Sequence, residues 1–328
     1  MDKVYLLKNF DLVEDSVKKL LNNFYPKKSE VIIKLHFGER GNKTALTPSD
    51  IKPIIKALNF LKLKTIMIDS PVMYDGPRKT VRGYEEVVRE RGFDKISEFL
   101  ISNNITRVRS KDFEVEAIKE LIEAQNVLVI SHVKGHPATG FGGAIKNLGM
   151  GGVSAKSKEM EHSLSKPKIT GKCESCGKCA KYCPSNAITI NNNEIKIDYG
   201  ACWGCSVCEV NCQNSNLKPV KAFFDDLLAQ GASVLINNFP QTTFYINIIK
   251  NVTKLCDCAT NSGEIISQDI GILFSQNPVA IDKASVDLIN LANGRNLFYE
   301  ITHKDPFLHI NFAAQYTNKD PNYELIEI

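Results

Sequence analysis

VIIKLH at residues 31–36 and VLVISH at residues 127–132 decide the class of this chain. In each, a short, mostly apolar run stops at a histidine, as expected of a strand covered on both faces. Val31–Leu35, Thr65–Ile68 and Val127–Ser131 are therefore expected to be buried strands. Between the first two, Ile51, Ile54, Ile55, Leu58 and Leu61 recur at helical spacing, with Pro48 and Pro53 at the entry. The same alternation returns near the end of the chain. Val234–Asn237, Ile270–Phe274 and Tyr323–Ile328 are expected to be strands, and Phe223–Ala229 and Pro278–Ala292 helices, with Asn277 capping the last. The class is α/β, an open, mostly parallel sheet with helices.

A different chemistry interrupts this pattern. GKCESCGKCAKYC (171–183) and GACWGCSVCEVNC (200–212) carry eight of the ten cysteines. Each run is spaced C-x2-C-x2-C-x3-C, the ligand pattern of a two-cluster ferredoxin, in which the fourth cysteine of one run serves the other cluster. One [4Fe-4S] cluster is assigned to Cys173, Cys176, Cys179 and Cys212, and the other to Cys202, Cys205, Cys208 and Cys183. Zinc is the alternative, although it usually takes separated C-x2-C pairs. Residues 167–216 are expected to form an α+β ferredoxin-like module inserted into an α/β domain made of residues 1–166 and 217–328. Pro184 follows Cys183, but Gln213 follows Cys212. The second half therefore looks clipped and its cluster more exposed, with Trp203 either a screen beside the cluster or core filling.

The chain has 328 residues, 43% of them hydrophobic and 24% charged, which fits a folded globular protein and excludes disorder. No run is long enough for a membrane helix, and MDKVYLLKNF lacks the order of a signal peptide, so a cytoplasmic protein is expected. The formal charge of +4 is offset by roughly −2 for each oxidised cluster, which argues against nucleic acid as a partner. Seven lysines between residues 154 and 182 (Lys156, Lys158, Lys166, Lys168, Lys172, Lys178, Lys181) form a basic collar. It would either steer an acidic redox partner or simply offset thiolate charge.

Several polar residues follow predicted strands, where ligands bind in open α/β sheets. They are His36, His132, His136, Cys256, Cys258 and Asp282, and together they are a candidate second site for a metal or an organic ligand, with His132 and His136 the leading pair. Cys256 and Cys258 would face one way if extended; two inert buried thiols are the alternative. GHPATGFGGAIKNLGMGG (135–152) reads as a glycine-rich turn offering backbone amides to an anion, with Lys146 free to meet a phosphate or Glu39. Close packing explains its glycines equally well.

HFGE (36–39), KGHPATGFGGAIKNLGMG (134–151), CDC (256–258) and DIGILFSQNPVAIDKASVDL (269–288) together resemble the uncharacterised iron-sulfur proteins known as domain of unknown function 362. The resemblance runs over essentially the whole chain. It implies an α/β domain carrying a two-cluster ferredoxin, with no established activity. Two readings follow, a possible oxidoreductase whose clusters serve the second site, and a non-enzymatic electron carrier or assembly factor that docks a partner. A nucleotide binder using the glycine-rich segment is a third.

Overall fold

The fold is described by a computed structural model covering residues 1–192 and 194–328. Eight strands form the main sheet: β1 (Asp2–Leu7), β2 (Glu30–Leu35), β3 (Lys64–Asp69), β4 (Glu98–Ile101), β5 (Val127–His132), β6 (Thr243–Ile249), β7 (Gly271–Ser275) and β8 (Tyr323–Glu327). Their order is β8-β1-β7-β6-β5-β2-β3-β4. Only β7 runs against its neighbours; every other pairing in the sheet is parallel. The chain runs outward from β2 to β4 and then returns to β5 on the other side of β2. The switch point lies between β2 and β5, and the carboxyl ends of these strands open onto one crevice.

Helices cover both faces. Val31, Ile33, Leu35, Leu128 and Ile130 point to one side, where they pack with residues of the helices Val13–Leu21, Pro48–Phe60 and Val81–Glu90. Val127 and Val129 point to the other, against the helices Ala144–Gly151, Phe224–Asn238, Pro278–Asn293 and Leu308–Thr317. Burial of each such side chain contributes about 1.5–3 kcal/mol, which explains why these strands carry apolar residues on both faces rather than alternately. Thr47 and Asp50 form a capping box at the second helix, Pro48 occupies its first turn, and Pro53 lies inside it. Asn277 accepts hydrogen bonds from the Val279 and Ala280 amides.

Val234–Asn237 is not a strand. It is the end of the Phe224–Asn238 helix, every residue of which from Phe224 to Ile236 is buried, and the strand begins later, at Thr243. A helix buried on all sides has no polar stripe, so a short apolar run within it reads as strand or helix equally well.

The cysteine segment stands outside the main sheet. Pro167–Ile169 pairs with Leu217–Pro219 as an antiparallel neck, and Ile188–Asn191 pairs with Glu194–Ile197. The segment repeats itself at a constant spacing of 29 residues, from Cys173 to Cys202. Its short helices Lys178–Lys181 and Val207–Val210 correspond, as do the left-handed residues Ser175 and Gly204, Gly177 and Ser206, and Asn186 and Ser215. The missing proline after Cys212 therefore leaves the backbone of the second half intact.

The glycine-rich segment is explained by packing. Asp282, fully buried, accepts hydrogen bonds from the Ala144 amide (2.7 Å), the Ile145 amide (2.8 Å) and Asn247 Nδ2 (2.7 Å). It thus fills the anion seat at the start of the Ala144–Gly151 helix. A Cβ on Gly143 would strike this carboxylate, and one on Gly151 would strike Lys34. Burial pushes the Asp282 carboxyl up to about 6. Asp282→Ala removes all three bonds and should lower the unfolding free energy by about 3 kcal/mol, read as a shift of the urea midpoint.

Candidate functional site

Three residues of the proposed second site meet at the crevice. His36 follows β2 and is 27% exposed. Its Nδ1 lies 3.0 Å from Asp69 Oδ2 at the end of β3, and its Nε2 lies 3.6 Å from Cys258 Sγ. Gly38, at φ +75°, turns the chain after His36 so that Glu39 returns to donate its amide to the Asp257 carbonyl at 2.9 Å. Cys256–Asp257–Cys258 is a turn rather than an extended segment. Asn42 Nδ2 holds it through the Ala259 carbonyl and Ser262 Oγ, each at 2.7 Å. The turn carries Cys256 and Cys258 two residues apart, both free and half-buried.

Charge at this site is organised around Asp69. Tyr84 OH donates to Asp69 Oδ2 at 2.5 Å, and the buried Lys34 ammonium lies 3.0 Å from Oδ1. Arg78, also buried, reaches His36 Nε2 (3.3 Å), Tyr74 OH (2.5 Å) and Glu39 Oε2 (2.8 Å). Although burial opposes ionisation of Asp69, Lys34 and His36 hold its carboxyl well below the usual carboxylate range. Burial works against the His36 imidazolium, but the Cys258 sulfur and Asp69 outweigh it and raise the imidazole. A hydrogen bond from Cys256, with His36 beside it, lowers the Cys258 thiol, while the same bond raises Cys256. The two thiols are thus unlike, with ionisation favoured at Cys258 over Cys256.

The remaining candidates have other tasks. Both ring nitrogens of His132 are engaged, Nδ1 with Asp257 (2.7 Å) and Nε2 with the Lys250 carbonyl (2.6 Å), so this histidine props the cysteine turn from below. His136 Nδ1 accepts from the Ala138 amide and lies near Thr139 Oγ1, each at 3.2 Å; burial and then Lys146 pull the ring well below the ordinary histidine value. Asp282 belongs to the helix cap. Glu39 is taken by Arg78 rather than Lys146, and Lys146 has neither hydrogen bond nor ion pair among the described residues. Asp69, Tyr84, Arg78 and Lys34 were missed in the sequence because carboxylate, phenol and cation are far apart in the chain; KTIMIDS, a buried run ending in aspartate, was the available signal.

The eight remaining cysteines fall into two sets. Cys173, Cys176, Cys179 and Cys212 line one cavity. Cys183 lies in the electrostatic field of Cys202, Cys205 and Cys208. Among the described residues no three His, Cys, Asp or Glu side chains are close enough to hold a single metal ion. Amides donate to sulfur from Ser175 to Cys173 (3.3 Å), from Ala187 to Cys183 (3.3 Å) and from Gly204 to Cys202 (3.4 Å). The more exposed thiols are in the first run: Cys176 is exposed, whereas Cys205 and Cys208 are buried. This reverses the expected exposure, because the second run packs through Cys205 and Val207 against Phe224 and Leu228. Trp203 is 48% exposed and so is not core filling.

Lys304 fastens this second run. Its buried ammonium lies 2.5 Å from Asp225 and donates to the Ala138 carbonyl (2.6 Å) and the Cys205 carbonyl (2.5 Å). Between the second set and the cysteine turn lies a cleft of about 230 Å³, lined by Lys181, Tyr182, Cys183, Pro137, Lys254 and His303, among others. It borders both Cys183 and the residues next to Cys256 and His136.

A sequence profile described as Domain of unknown function (DUF362) matches residues 31–287. The chain belongs to the DUF362 family. No curated protein matches it. Among solved structures, a protein from Thermotoga maritima is similar at a TM-score of 0.51 and 11% identity, covering 88% of this chain and 59% of that one. The lactate racemase apoprotein from Thermoanaerobacterium thermosaccharolyticum is similar at a TM-score of 0.37 and 14% identity, covering 77% and 51%. The chain thus spans little more than half the length of either structure. At these identities the first likeness shows a shared α/β fold. Among the described residues no helix is long and apolar enough to cross a membrane.

Two predictions follow from the buried charges. Iodoacetamide at pH 7 should label Cys258 before Cys256, and His36→Gln should slow labelling of Cys258 about tenfold, as read by peptide mass mapping. Lys158 of the basic collar is buried and donates to Ser70 Oγ and the Pro71 carbonyl; burial pulls its ammonium down to about 8. Between that value and the ordinary lysine value of about 10.4, the unfolded chain holds a proton that the folded chain has lost. Stability from Lys158 should therefore rise with pH across this window, and Lys158→Met should flatten the rise in denaturant midpoints relative to the parent, where the buried Lys34 and Lys134 act in the same direction.

Proposed function

We propose that this DUF362 protein binds two [4Fe-4S] clusters and moves single electrons to or from the cysteine–histidine site of its α/β domain. Cys173, Cys176, Cys179 and Cys212 would hold one cluster, and Cys202, Cys205, Cys208 and Cys183 the other, within a ferredoxin-like module at 167–216 set into α/β halves 1–166 and 217–328. The residues fit such a group. Four thiols line one cavity, and backbone amides donate to sulfur in both halves. Burial pushes the free Cys205 thiol up to about 11, so its ionised form needs a cationic partner. When bound, the clusters supply one-electron transfer.

The observation that carries the reading is the shared cleft. Cys183 and Tyr182 line the same space as Pro137, Lys254 and Leu255, the residues beside His136 and Cys256. Lys304 keeps that spacing rigid, and Tyr182 stacks on His303 at 3.8 Å between ring centroids. At the far end, the exposed Cys176 with the exposed Lys172 offers an entry for an acidic redox partner. That exposure also supports the second reading, a carrier whose α/β domain only docks a partner. No redox substrate is assigned.

Anaerobic purification should give about eight irons and about eight acid-labile sulfides per chain. Zinc without sulfide would overturn the cluster assignment. With clusters present, Cys258→Ala should shift the potential of one cluster, that of the Cys183 set, and leave the other unmoved; a carrier with no inner site predicts no shift in either.

A further inference from the structure

We propose that Cys256 and Cys258 are a redox-active dithiol, an electron-pair site that stores the single electrons of the clusters and passes them to a disulfide substrate in the cleft. The inference deepens the electron-transfer reading and rests on it for the electron supply. Its own support is geometric. Two cysteines set two residues apart on one turn can be joined by an adjustment of that turn, which is anchored from outside by Asn42, Glu39 and His132. His36 sits on the Cys258 side only, 3.6 Å from its sulfur, so the two cysteines are not equivalent. Such asymmetry is what thiol–disulfide exchange uses, one sulfur attacking and the other resolving.

The chemistry balances. Cys258 thiolate attacks one sulfur of the substrate disulfide, forming a mixed disulfide and releasing a thiolate that takes the proton of the His36 imidazolium. Cys256, losing its proton to solvent, attacks Cys258 Sγ, forming the Cys256–Cys258 bond and releasing the second thiolate, which solvent protonates. Two electrons, which the clusters would supply when bound and reduced by a low-potential one-electron donor, would then cleave that bond, with protons taken up at Cys256 and His36. The sum is one disulfide, two electrons and two protons giving two thiols. The Asp69 carboxylate, fixed by Lys34 and Tyr84, orients His36 for both proton movements. Lys181 and Lys254 line the cleft without an ion pair among the described residues, which favours a substrate carrying negative charge.

The test uses the whole protein with its iron and sulfide assayed first, so that absence of clusters is recognised as failure of the underlying reading. The protein is treated anaerobically with oxidised glutathione, desalted, mapped for disulfides by mass spectrometry and titrated with dithionite. The parent should show a Cys256–Cys258 bond and take up about four electrons per chain, about one for each cluster and two for the bond. Cys256→Ser should carry glutathione on Cys258 in place of the internal bond, and Cys256→Ser combined with Cys258→Ser, which can form neither disulfide, should take up only about two. Equal uptake by parent and double variant, both with full iron and sulfide, or no bond between the two cysteines in the parent, overturns the proposal.

Discussion

The buried Lys304 ammonium joins the two chemistries of this chain. Its three partners come from three places: Asp225 on a helix of the α/β body, the Ala138 carbonyl in the glycine-rich segment and the Cys205 carbonyl in the second cysteine run. A charge removed from water must be paired and hydrogen-bonded, or it costs several kcal/mol. The cysteine segment cannot shift against the sheet without leaving this charge uncompensated. Ser165 Oγ on the Gly204 carbonyl, His162 Nδ1 on the Trp203 carbonyl and Asn211 Nδ2 on the His303 carbonyl follow the same logic with neutral donors.

The crevice at the switch point uses buried charge differently. Lys34, His36 and Arg78 are set against the carboxylates of Asp69 and Glu39 within a few ångströms. Such a network stays ionised only if its geometry is kept, and the geometry comes from strand ends: Asp69 closes β3 and His36 follows β2, which pair in parallel register. The cysteine turn is then laid across them from a distant part of the chain. The cleft is bordered by Lys254 and Leu255, the residues that lead into this turn.

Much of the fold was legible because parallel strands buried on two faces leave a clear mark, as in Val31–Leu35 and Val127–Ser131. Capping was legible too, since Asn277 followed by proline acts through atoms within three residues. The Val234–Asn237 segment misled because a fully buried helix lacks the polar stripe that distinguishes it from a strand. In the candidate site, His36, Cys256 and Cys258 were visible as chemistry-bearing residues after strands. Asp282 looked the same in sequence but serves as a helix cap, and His132 as a prop; the difference depends on hydrogen-bond partners more than a hundred residues away.

The sequence by itself determined the class of the sheet, the family and the two cysteine runs, because strand burial and ligand spacing are local properties written in consecutive residues. The tertiary structure decided which groups share the crevice: that Asp69 and Tyr84 stand behind His36, that Asp282 closes the helix amides that a ligand would otherwise find, and that the second cysteine run, not the first, is the buried one. These follow from strand order and from the pairing of buried charges across the chain. Neither is encoded in any one segment, since each is a condition on groups that only folding brings within a few ångströms.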